Sequence, residues 1–131
     1  MVKRVISSDL DAARQLAGDV LRHVESEGYA EGVCFAIRLA LEEALINAIR
    51  HGSKFDQAKK ITVSADVGEQ RTAITIADEG AGFDPAAVPD PTADENLEKP
   101  SGRGIMLMRA YMDEVQYNDR GNEVRMVKYK S

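Results

Sequence analysis

Glu43 and Asn47 stand four residues apart in the stretch LALEEALINAIRHG, Leu39 to Gly52, so on an α-helix their side chains project side by side, one turn apart. An amide oxygen suits Mg²⁺, which prefers octahedral oxygen ligation and keeps much of its hydration shell beside substrate phosphates. A carboxylate one turn earlier would then orient or deprotonate a nucleophile approaching the same phosphate. A plainer reading uses the same residues. Ile37, Leu41, Ala44 and Ala48 form an apolar stripe, and Glu43 with Asn47 falls at its border, where Glu43 would be solvated and Asn47 bonded locally.

A second acidic position raises a sharper question. Arg71 to Ala77 alternates as a β-strand does, and the strand runs into DEGAGF, Asp78 to Phe83. Residues two apart share a face, so Asp78 falls on the side of Thr72, Ile74 and Ile76, the side expected to meet a helix layer. A carboxylate pointing inward is costly unless donors meet it, and no nearby Arg or Lys is an obvious one. Either Asp78 caps the following turn, with Gly80 and Gly82 permitting positive φ, or a ligand supplies the donor. A third stretch, SGRGIMLM from Ser101 to Met108, begins with Gly102 and Gly104, which let backbone approach a ligand closely. The helix starting there offers free N–H groups and the positive end of its dipole to phosphates, and Arg103 adds charge. A flexible hinge is the alternative. No Walker P-loop pattern occurs in the chain.

The elements that must hold these residues follow from periodicity. Lys3 to Ser7 is short and β-like. Ser8 with Asp11 offers a capping pattern before a helix whose face is Leu10, Ala13, Ala17, Val20, Leu21 and Val24, closed by Gly28. A longer helix, apolar on more than one side, runs from Glu31 to His51 and ends at Gly52. Ile61 to Val67 and Thr72 to Ile76 alternate around Gly68-Glu69-Gln70 and read as an antiparallel hairpin. Residues 84 to 100 hold all four prolines and several acids, the composition of a long loop or lid. A third helix is expected over Gly104 to Met112. Strands over Glu114 to Asn118 and Glu123 to Tyr129, joined around Gly121-Asn122, complete the chain. The order β-α-α-β-β-lid-α-β-β predicts an α+β two-layer sandwich, with a mixed, mostly antiparallel sheet and three helices on one face.

Composition narrows the function classes. With 131 residues, 44% of them hydrophobic, one domain over residues 1–131 with one core is expected. A net charge of −5 argues against nucleic acid or an anionic membrane as direct partner. The single cysteine, Cys34, has no internal disulfide partner and reads as a small core residue. The chain starts without an apolar run of signal-peptide length, and a cytoplasmic location is expected. Met106, Met108 and Met112 fit helical spacing and read as core or partner surface, with core favoured, while Glu42 is assigned to solvent and Arg50 and His51 to complementing a helix dipole.

Taken together, in this order and at these intervals, the three stretches resemble the nucleotide-binding signature of the GHKL (Bergerat-fold) ATPases, over roughly Glu31 to Val115. The flanking elements and the length are similar to those of the bacterial anti-sigma-factor serine protein kinases. The resemblance implies that ATP and Mg²⁺ are cofactors, with Asn47 as the Mg²⁺ ligand, Glu43 as the catalytic base and Asp78 as acceptor for the exocyclic amine of adenine. Gly80 and Gly82 would lie by the nucleotide, and Gly102, Arg103 and Gly104 would adjoin the phosphates at the end of the lid. It implies a homodimer that binds a sigma factor and phosphorylates a serine on a small antagonist protein. Two other functions are compatible with the same motifs: a nucleotide-dependent binding switch without catalysis, and a detached ATP-binding domain of a histidine kinase.

Overall fold

A computed structural model describes residues 2–52, 56, 58–79, 102–119 and 121–131, with the backbone alone for 51–52 and 102–104. Five strands and three helices appear in the expected order: β1 (Val2–Ser7), α1 (Leu10–Ser26), α2 (Glu31–Asn47), β2 (Lys60–Val67), β3 (Arg71–Asp78), α3 (Gly102–Tyr111), β4 (Glu114–Tyr117) and β5 (Glu123–Tyr129). The strands form one sheet in the order β1-β2-β3-β5-β4, and every pairing among the described residues is antiparallel, so no parallel strand makes the sheet mixed. Gly80, Gly82 and the loop over residues 84 to 100 lie outside the described residues.

Strand alternation creates one apolar sheet face. Ile61, Val63 and Ala65 of β2, Thr72, Ile74 and Ile76 of β3, and Val124 and Met126 of β5 are all buried, while Thr62, Ser64, Ala73 and Thr75 between them are only half-buried. The helices cover that face, with α1 against β1 and β2, α2 against β3 and β5, and α3 against β4. Between its two helical neighbours, α2 is apolar on several sides. Ile37, Ala40, Leu41 and Leu45 are shut off from solvent, which makes this helix the centre of the core.

Several local expectations change in the structure. Asp9, not Ser8, caps α1: its Oδ1 accepts from the backbone N–H of Asp11 at 3.0 Å. Ser8 is buried instead, and its hydroxyl donates to the Lys59 carbonyl at 2.9 Å, tying the start of α1 to the start of β2. The second helix does not continue as α to His51, because Ala48–Gly52 forms a π-helical turn that contacts β3. Helix α3 begins two residues before the expected start and ends one residue before the expected end. Met108 and Met112 join the core, but Met106 is exposed, since Ile105 and Met108, three apart, take the inward side of this helix and turn Met106 outward. Cys34 is buried, its thiol donating to the Tyr29 carbonyl, and Glu42 pairs with Arg38 on the exposed side of α2.

Two substitutions test this packing. Leu41→Ala, at a site with 0% exposure, is expected to cost about 2 to 5 kcal/mol in urea unfolding. Among the described residues the buried Thr72 hydroxyl has no hydrogen-bond partner, so Thr72→Val should leave stability unchanged or raise it by up to about 1 kcal/mol. A clear loss would mean that the hydroxyl is satisfied after all.

Candidate functional site

Asn47 is the last residue of α2 proper, and Asp78 is the last residue of β3. Register brings these two ends together. Asp78 lies opposite Ile61 across the β2–β3 pair, and its backbone N–H donates to the carbonyl of Asn122, in the turn just before β5, at 2.9 Å. With Thr72, Ile74 and Ile76 facing the helices, the same alternation turns Asp78 toward α2, as the sequence predicts. The result is a narrow cleft lined by Ala44, Asn47 and Ala48 from α2 and its π turn, Ile76 and Asp78 from β3, and Tyr117 and Asn122 from the β4–β5 hairpin.

Small side chains keep that cleft open. Ala44 and Ala48 flank Asn47 on the helix, and a larger residue at either place would reach across toward β3. The cleft is apolar along Ile76 and Val124 and polar at Asn47 and Asp78, the mixture expected of a site that binds a flat heterocycle and reads one edge of it.

The polar groups here are unequally satisfied. Asn47 is 8% exposed, and among the described residues its Nδ2 has no hydrogen-bond partner of full geometry. A buried amide left incomplete in this way costs free energy and marks a place where a ligand or a neighbour completes it. Tyr117 lines the same cleft, and its side chain packs against the core. Burial pushes the Tyr117 phenol up to about 12; the Asn47 side chain and the charge of Arg109 act in the opposite direction, and Asp78 adds to the rise.

The residues singled out in the sequence divide into three groups. Asn47 and Asp78 meet in the cleft. Glu43 is half-buried one turn before Asn47 on α2 and is not among the residues that line it. Gly102, Arg103 and Gly104 form the first turn of α3, and Gly80 and Gly82 fall outside the described residues. Periodicity missed Tyr117 and Asn122. Both belong to a strand pair that reads as plain sheet, and the one available signal was an inward-facing tyrosine at a strand end followed by a turn rich in Asn.

No group of three or more His, Cys, Asp or Glu residues suited to holding a metal gathers among the described residues. The cleft offers a single buried amide instead. Among the described residues, no helix is long and apolar enough to cross a membrane.

Comparison with known proteins adds to this geometry. Residues 6–128 match the model of the histidine kinase-like ATPase domain. The chain is similar to the anti-sigma F factor of Clostridium perfringens, with 34% identity over 98 residues, a span that covers 70% of this chain and 69% of that protein. Its similarity to serine-protein kinase RsbW of Bacillus subtilis is 33% over 111 residues, covering 78% of this chain and 68% of the kinase. A crystal structure of the RsbU and RsbW domains of a Mycobacterium tuberculosis protein has a TM-score of 0.60 at 13% identity, covering 98% of this chain and 32% of that one, a likeness of fold.

A site residue that carries an unsatisfied buried group should be a poor choice for stability. Asn47→Leu, similar in volume and free of polar atoms, is expected to keep the unfolding midpoint or raise stability by up to about 2 kcal/mol, measured in urea. A loss of more than about 1 kcal/mol would show that the amide supports the fold rather than a ligand.

Proposed function

Since the chain belongs to the histidine kinase-like ATPase domain family, the GHKL type, we propose that it is an ATP-dependent serine protein kinase and anti-sigma factor. In this reading it acts in the cytoplasm as a homodimer, binds a sigma factor, and transfers the γ-phosphoryl group of ATP to a serine of a small antagonist protein. Relatives named anti-sigma F factor and serine-protein kinase RsbW support both halves of the proposal. The observation that carries it is the convergence of Asn47 and Asp78, the ends of α2 and β3, on one cleft.

Each residue has a distinct task. Asp78, facing inward, accepts a hydrogen bond from the exocyclic amine of adenine and so distinguishes adenine from bases that carry a carbonyl at that edge. Ile76 and Val124 supply the apolar walls for the ring. Asn47 would hold Mg²⁺ through its amide oxygen. A neutral oxygen donor, with no group of three or more His, Cys, Asp or Glu gathered to hold a metal among the described residues, fits an ion that takes its remaining ligands from phosphate and water. When bound, Mg²⁺ neutralises charge on the phosphates. Glu43, one turn or about 6 Å along the helix from Asn47, accepts the proton of the attacking serine hydroxyl. The first turn of α3, Gly102 to Gly104, provides backbone N–H groups and the positive end of the helix dipole for the phosphates.

The same convergence of Asn47 and Asp78 also suits a switch that binds nucleotide and changes partners without transferring phosphoryl. The two readings separate by mutation. Asp78→Asn, which opposes an amide donor to an amine donor, should weaken ATP binding on the order of 10- to 100-fold, or roughly 1 to 3 kcal/mol, by calorimetry. Unchanged affinity would remove Asp78 from the site. With radiolabelled ATP, Mg²⁺ and its cognate antagonist protein, wild type should yield phosphoserine, and Glu43→Gln should keep ATP affinity while losing label transfer. Absence of transfer by wild type, with nucleotide binding intact, would leave the switch.

A further inference from the structure

Asn47 and Tyr117 reach the cleft from opposite layers, one from the end of the central helix and the other from the end of the edge strand β4. The pairing of Tyr117 with Val124, and of Val115 with Met126, puts Tyr117 on the inward face of β4, while Glu114 and Gln116 point outward. The phenol and the amide share the lining of one cleft, yet among the described residues the Asn47 Nδ2 has no completed hydrogen bond.

An asparagine can serve a cation only through Oδ1. A buried side chain that presents Oδ1 to the cleft must turn Nδ2 the other way, and Nδ2 needs an acceptor there. A phenol oxygen can accept that bond. Phenylalanine, valine or isoleucine at the same strand position would pack equally well but would leave either end of the amide free to face the ligand.

We infer that Tyr117 is a positioning residue for the nucleotide site: its Oη accepts from Asn47 Nδ2 when the site fills, holding Oδ1 toward the phosphates and their divalent cation. The inference rests on the reading of Asn47 given under the proposed function. Tyr117 does not bind the cation. It selects one of two orientations of an amide that differ by a half-turn and expose opposite chemistry, a donor in one case and an acceptor in the other.

Calorimetry with a non-hydrolysable ATP analogue, in Mg²⁺ and again in EDTA, provides the test on the full chain. The quantity read is the ratio of the two affinities. Tyr117→Phe is expected to lower this ratio roughly tenfold, and to add nothing in an Asn47→Ala background, where there is no amide to orient. If Tyr117→Phe keeps the wild-type ratio while Asn47→Ala abolishes the enhancement, this inference is wrong and the assignment of Asn47 stands. If wild type binds no nucleotide, or binds with no benefit from Mg²⁺, both fall. A ¹⁵N-labelled wild-type sample gives a second measurement that needs no variant to fold. The Asn47 side-chain amide protons should be protected from exchange in the Mg²⁺-nucleotide complex, and exchange at the rate of a free amide would overturn the inference.

Discussion

A polar amide buried at the end of the most apolar helix is the constraint around which this structure is arranged. Helix α2 touches both neighbouring helices and the sheet, and its inward residues are shut off from water along nearly its whole length. Asn47 interrupts that pattern. Among the described residues its Nδ2 lacks a partner, at a depth where completing the bond is worth about 1 to 3 kcal/mol. A helix otherwise built for packing therefore carries a local defect, and the defect lies within a cleft rather than inside the solid core. The flanking alanines leave space beside it that leucine or isoleucine would fill.

Sheet register decides what shares that space. With β5 between β3 and β4, the end of β3 faces the β4–β5 turn, and Asp78 bonds to the Asn122 backbone. A slip of one residue between β2 and β3 would turn Asp78 to the outer face and Ala77 inward. The β4–β5 turn is itself held by side chains. Asn118 Oδ1 accepts from the N–H groups of Asn122 and Glu123, its Nδ2 donates to Asn122 Oδ1 at 2.7 Å, and Gly121 takes φ 72°, a left-handed conformation that a residue with a Cβ adopts only under strain. A turn fixed by so many local bonds holds Tyr117 and Asn122 in register with Asp78.

Much of this was legible in the sequence because it depends on period. Alternation in β2, β3 and β5 and the stripe of α1 emerge where the residue types place them, and the inward direction of Asp78 follows from the same count. Positions that depend on tertiary contacts were not legible. Ser8 and Asp9 are both good caps, and the choice between them turns on the Lys59 carbonyl, distant in sequence and near in space. The π turn after Asn47 has no glycine or proline before Gly52 to announce it. Met106 looked like core because methionine at helical spacing usually is, yet the inward side of α3 is already taken by Ile105 and Met108. Tyr117 was hidden by its own body: a tyrosine alternating with polar residues in a strand reads as packing, and only the position of β4 beside the end of α2 exposes its phenol to another role.

The cleft's polar groups also share a feature of position. Asn47 closes α2, Asp78 closes β3 and Tyr117 closes β4, so each stands at an element's end rather than in its middle. Mid-element positions on these inward faces are occupied by Ile37, Leu41, Ile74 and Met126, whose burial holds the layers together. A carboxylate there would lose its water on every side. At a terminus the same carboxylate keeps the inward direction that the strand dictates while one flank remains open, as its half-burial indicates. Burial deep enough to sharpen a hydrogen bond, together with access wide enough to admit a ligand, is available at the edge of the two layers, and the three polar side chains that line the cleft from α2, β3 and β4 reach it there.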